Sequence, residues 1–201
     1  MQYCKNLKEI VMSQYSRDEI LKKLETGESL AGANLSGADL SYGTMKNVNF
    51  SGANLSAAHL QNSNLEGADL SGANLRETFL FGSNLHNANL DGANLEDTNL
   101  QDSNLEGSSL KGANLTHAAL LGSNLDNADL TGANLSRARL KRASLRNAKL
   151  DRCNLEQSHL VRSDLSGASL VNANLTGATL TNAITMGANL SGANMKDVIG
   201  G

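Results

Sequence analysis

Four histidines, two cysteines and a few neighbouring carboxylates are the residues of this chain whose types could do chemistry. His59, His86, His117 and His159 could ligate a metal or move protons. Only His59 and His159 recur in phase with the repeat described below, and they are too far apart to share an ion. Cys153 stands where the pattern elsewhere places a small inward residue, which fits a buried thiol better than a nucleophile. Cys4 lies outside the pattern. Glu96 and Asp97 are adjacent acids with nothing near them in sequence to raise a pKa for acid–base work. The glycines follow a turn period and form no phosphate-binding loop. These residues predict no catalytic set, no metal site and no cofactor, and hence a protein that is not an enzyme.

Charge offers a second kind of candidate. Residues 31–136 hold 11 acids and three bases, whereas residues 137–162 hold eight bases and two acids. Arg146 and Lys149 each have an acid 20 residues earlier. Arg137, Arg139, Lys141, Arg142, Arg152 and Arg162 do not, and they form a candidate partner-binding basic belt. Phe79, Phe81 and Leu121 flank inward leucines and so face outward, as a candidate apolar contact. No aromatics interleave the arginines, so base stacking with nucleic acid is not expected.

The element that must position these residues is a five-residue repeat. From Leu30 to Met195 an apolar residue recurs at every fifth position. Of those 34 positions 30 are Leu, the others being Met45, Phe50, Thr185 and Met195. Two residues earlier the chain is small, with 21 Ala and seven Ser in 33 positions. Neither a helix nor a flat strand keeps one face at period five. Two residues after each centre, 24 of 33 positions are Gly, Asn or Asp, which tolerate the positive φ of a tight turn. The arginines at 137, 142, 152 and 162 occupy such corners and predict turns there without positive φ. A slower period is superimposed: GANL recurs at 32–35, 52–55, 72–75, 92–95, 112–115 and 132–135. Residue n is therefore expected beside residue n+20, four pentapeptides to a coil. One column is all asparagine (34, 54, 74 and onward to 194), read as a stabilising ladder.

Stretches such as Ala68-Asp69-Leu70-Ser71-Gly72 resemble the pentapeptide-repeat family over about residues 28–197. The resemblance implies an all-β fold: a right-handed quadrilateral β-helix of a little over eight coils. The domain expectation is a helical cap at 1–29, repeats at 30–197 and a tail at 198–201. Within the cap, Ser16-Arg17-Asp18-Glu19 reads as a capping box opening a helix at about 17–25, with a weaker helix around 5–13. The functional expectation is a non-enzymatic rigid rod serving as a protein-interaction or structural module for an unknown protein partner. Two alternatives accompany it. One is DNA mimicry on an enzyme such as gyrase, as the resemblance to quinolone-resistance members implies. The other is a belt that binds an acidic partner or phosphates. The last coil has no evident cover, so self-association there is a further expectation. No apolar run is long enough for a membrane helix, and two cysteines suit a reducing compartment, so a cytoplasmic location is expected.

Overall fold

The computed structural model describes residues 15–200. The weaker helix expected around 5–13, and Cys4, lie outside them. The one regular element among the described residues is helix α1, Arg17–Glu25. Ser16 caps it: its hydroxyl accepts from the Glu19 amide while the Glu19 carboxylate accepts from the Ser16 amide at 2.7 Å. Asp18 and Glu19 in the first turn and Lys22 and Lys23 in the last suit the helix dipole. Gly27 follows at φ +72°, a conformation glycine adopts without penalty. Ile20 is fully buried against the end of the repeat core, with Tyr15 and Leu24 packed beside it. Arg17 ties the helix down by donating to the carbonyls of Asp39 (2.7 Å) and Ser41 (3.0 Å).

Beyond α1 the expected architecture is corrected. The described residues contain no β-strand and no continuous sheet, so they are not the all-β, right-handed quadrilateral β-helix solenoid expected. Backbones meet instead at isolated parallel bridges, one residue in five, each joining n to n+20, as in Asn34↔Asn54 and onward to Thr179↔Ile199. The reason is local. Two of every five residues are in a turn, which leaves too little extended chain between corners for a ladder. The reading of a rigid β-helical rod falls with the strands that were to stiffen it. So does DNA mimicry, which needed such a rod.

Most pentapeptides repeat one hydrogen-bond cycle. For the unit centred on Leu70, the Asp69 amide donates to Val48 O, the Leu70 amide to Asn89 O and the Gly72 amide to Asp91 O. The Ala73 amide closes the turn onto Leu70 O. The fifth amide, of Ser71, donates to the side chain of Asp69 at 3.0 Å. All five donors are thus satisfied, the last by an Asx turn. Inside, the leucines from Leu30 to Leu180 are buried and interdigitate with the small residues two positions before them. Where the small residue is Thr78 or Thr98, its hydroxyl donates to a carbonyl of the preceding coil, Leu55 O or Leu75 O.

The corners hold a second correction. Every corner from Gly32 to Asp197 has positive φ, including Arg137, Arg142, Arg152 and Arg162 at 58–60°. The same corner geometry recurs whatever the side chain, and in the coils before the last the corner amide bonds to a carbonyl of the following coil. At Arg137, with φ 58°, the amide donates to Glu156 O at 2.8 Å.

Candidate functional site

The n+20 register gathers the sequence candidates onto one side of the coils, the side centred on Leu60, Leu80, Leu100, Leu120, Leu140 and Leu160. Flanking these leucines outward are His59, Phe79, Asn99, Ala119, Arg139 and His159 on one row, and Gln61, Phe81, Gln101, Leu121, Lys141 and Val161 on the other. Phe79, Phe81 and Leu121 are 40%, 38% and 36% exposed, high for large apolar side chains. The His59 and Phe79 rings stack at 4.9 Å. The apolar contact and the basic residues were separate readings of the sequence; here they form one surface. Adding multiples of 20 to Phe79 leads to Arg139, the signal that could have joined them.

Five of the six belt residues border this side. Arg139 and Lys141 lie on it, and Arg137, Arg142 and Arg162 stand at its corners. Arg152 does not, being two turns further round the coil. Arg137 donates to Gln157 at 3.0 Å. Arg139, Lys141, Arg142 and Arg162 make no ion pair among the described residues. Within the repeats, the cations outside the belt are paired up to Lys149. Arg146 binds Asp126 at 2.8 Å, and Lys46 binds Glu66 at 2.8 Å. Lys111 departs from its expected neighbour Asp91: its ammonium turns to Asp129 at 3.6 Å, and its amide takes the Asp91 carboxylate.

A groove of about 360 Å3 opens in the middle of this side, lined by Gln101, Ala119, Leu121, Arg139, Lys141, His159 and Val161. It exists because Ala119 interrupts a row of larger residues. The methyl of Ala119 is only 4% exposed and forms the floor. Leu121 and Val161 form apolar walls, and Arg139 and Lys141 supply positive charge at the rim.

The backbone of this side is also different. On the other sides the residue before the central leucine is mostly Asn or Asp, and its side chain takes the outward amide two residues on. Where serine replaces it, at 109, 144 and 169, an aspartate from the preceding coil takes over. Asp91, Asp126 and Asp151 accept both the serine hydroxyl and the amide. Phe79, Ala119, Arg139 and His159 offer no such acceptor. The amides of Phe81, Leu121, Lys141 and Val161 therefore find none among the described residues, whereas Gln101 finds Asn99. Outside this side and the two end coils, only the Asp151 amide shares that state.

Cys153 is buried and its Sγ donates to Leu130 O at 2.8 Å, the same bond the inward threonines make. Burial pushes its thiol up to about 12. The histidines stay dispersed, and no group of three potential metal ligands occurs among the described residues. No helix among them is long and apolar enough to cross a membrane.

The pentapeptide-repeat family profile matches in eight copies that together run through residues 27–199. Among solved structures the chain is similar to HetL, a pentapeptide-repeat protein involved in heterocyst differentiation regulation in the cyanobacterium Nostoc sp. strain PCC 7120. Identity is 35%, covering 92% of this chain and 94% of HetL, with a TM-score of 0.54. It is also similar to Rfr23 from the cyanobacterium Cyanothece 51142, at 36% identity over 46% of this chain and 64% of that one, TM-score 0.45. QnrB1, a plasmid-mediated fluoroquinolone resistance protein, aligns at 19% identity over 83% of this chain and 86% of its own, TM-score 0.43, too distant to carry its role over. No curated protein matches in sequence. The repeats from 27 to 199 and the likeness to HetL place this chain in the pentapeptide-repeat family.

Proposed function

We propose that this protein is a regulator that works by binding, through the side centred on Leu120, and performs no catalysis. The observation that carries the reading is the 35% identity to HetL across nearly the whole of both chains, HetL being involved in regulating heterocyst differentiation. The surface is in keeping with it. Exposed apolar residues, cations without ion pairs and a run of amides without acceptors meet on this side, whereas most outward amides on the other sides are closed by an Asn or Asp side chain.

The test is expression in Nostoc sp. strain PCC 7120, with added HetL as the positive control. Raising the level of this protein is expected to shift heterocyst frequency in the same direction as added HetL. The double variant Arg139→Glu/Lys141→Glu, expressed at equal level, is expected to leave frequency unchanged. No shift with the native protein, at levels where HetL produces one, refutes the reading. An equal shift with the variant refutes the assignment to this side.

A further inference from the structure

We propose that the groove over Ala119 binds a peptide segment of a partner protein in which an aspartate stands beside a bulky apolar residue. The inference rests on the binding role above and names the chemistry of the partner. The apolar side chain enters the groove, against the Ala119 methyl and between Leu121 and Val161. The aspartate accepts from an outward amide of the Leu121–Lys141–Val161 row and pairs with Arg139 or Lys141.

Three independent observations converge on this occupant. The first is shape: the groove is apolar at its floor and walls, so it selects an apolar group. The second is charge. Arg139 and Lys141 make no ion pair among the described residues, and Arg142 and Arg162 stand at the adjoining corner, so the rim selects an acid. The third is a vacancy in a pattern. In most repeats an Asn or Asp side chain closes the outward amide. Sometimes it comes from the same unit, as with Asp69 and Ser71, and sometimes from the neighbouring coil, as with Asp126 and Arg146. Leu121, Lys141 and Val161 are three successive coils in which neither supply exists. Their amides point outward, because everywhere else the acceptor is an outward side chain. A carboxylate arriving from another molecule completes the motif the chain completes for itself elsewhere. Successive amides stand one bridge spacing apart, about 4.8 Å, within the span of one short segment.

The test uses a dye-labelled hexapeptide with leucine and phenylalanine at its centre and four flanking aspartates. It is compared with a peptide carrying asparagine at those four positions and one carrying serine at the two apolar positions. Fluorescence anisotropy against the native protein is expected to give saturable binding that weakens as salt rises from about 50 to about 200 mM. Both control peptides are expected to bind at least about tenfold more weakly, a loss of about 1.4 kcal/mol. The deciding variant is Ala119→Asn, which fills the groove floor and supplies the missing acceptor to the Leu121 amide. It is expected to abolish binding while melting at or above the native temperature, so the loss cannot come from unfolding. Arg139→Glu/Lys141→Glu is expected to abolish binding as well. Absence of saturable binding at 1 mM peptide, unchanged binding by Ala119→Asn, or equal binding of the asparagine peptide overturns the proposal. If any of these occurs while the protein still shifts heterocyst frequency, the partner chemistry is wrong and the binding role stands. If the peptide binds and frequency does not move, the regulatory reading is wrong and the groove stands.

Discussion

Two neighbouring glycines test whether the corners are held by backbone geometry alone or also by side chains laid across the coils. Gly107 and Gly112 share nearly the same φ, +66° and +63°. A Cβ on Gly112 would meet nothing within 4 Å, whereas one on Gly107 would lie 2.5 Å from Oδ1 of Asn87, one coil earlier. Replacing either by alanine forces a left-handed L residue, at about 1–2 kcal/mol. Roughly half a kcal/mol of that is offset because the unfolded chain also loses freedom. Gly112→Ala should therefore cost about 1 kcal/mol. Gly107→Ala must in addition drive the Asn87 side chain out of its place, for about 1 kcal/mol more. At roughly 2–4 °C per kcal/mol for a chain of this size, the expected falls in melting temperature are about 3 °C and about 6 °C. Circular dichroism melts and urea titrations measure both. Asn87→Gly removes the obstructing side chain while keeping the corner free of strain. In that background the cost of Gly107→Ala should drop to that of Gly112→Ala. Equal losses in the two single variants, or an excess that persists in the Asn87→Gly background, would refute the claim that side chains from one coil cover the corners of the next.

Three further outcomes follow from buried polar groups. Burial pushes the Asp126 carboxyl up, but the Ser144 hydroxyl (2.5 Å), the Arg146 guanidinium and the Arg146 amide outweigh it and hold the group below its usual range. A carboxyl lowered in the folded state lends stability that is fully present above its unfolded pKa of about 3.9 and is lost as pH falls through the folded value. Asp126→Asn should thus destabilise at pH 7 and flatten the loss of stability below about pH 4, as read by urea midpoints across pH. Cys153, with its thiol raised to about 12, should react with iodoacetamide only as fast as the chain opens; alkylation at the free-thiol rate in native buffer would contradict its burial. Ser158 is fully buried and its hydroxyl has no partner, so Ser158→Ala should raise stability by about 1 kcal/mol, measured by chemical denaturation.

Much of this was readable from the residues, at the level where one side chain decides one contact. Ser16 and Glu19 announce α1 because a capping box needs only local spacing. The recurrence of GANL every 20 residues announces which backbones meet, because identical units stack in register. The expected strands failed because a five-residue beat that includes a two-residue turn has no room for them, a matter of length that the period already contained. The corner arginines run against residue propensity. At Arg142 the amide bonds to Val161 O at 3.1 Å, as corner amides do in the coils before the last, and this bond offsets the cost of positive φ there. Lys111 chose Asp129 over Asp91 because the Asp91 carboxylate was already engaged by Ser109 and by a backbone amide. The groove was hidden for a different reason. It depends on what is missing at Ala119 and on amides left without acceptors, and neither shows until each donor has been traced to its partner.

The backbone bonds between n and n+20 also decide how the molecule comes apart under load. Each coil beyond the first is held to its predecessor by bonds along a 20-residue path, and among the described residues no backbone bond skips a coil. Pulling on the C-terminal end therefore loads only the outermost coil, and its few bonds open as a group before the next feels the force. Each event would release 20 residues, or about 70 Å of extended chain. A single-molecule extension trace should rise in near-equal steps of that length, ending at the coil anchored by Ile20 and Arg17.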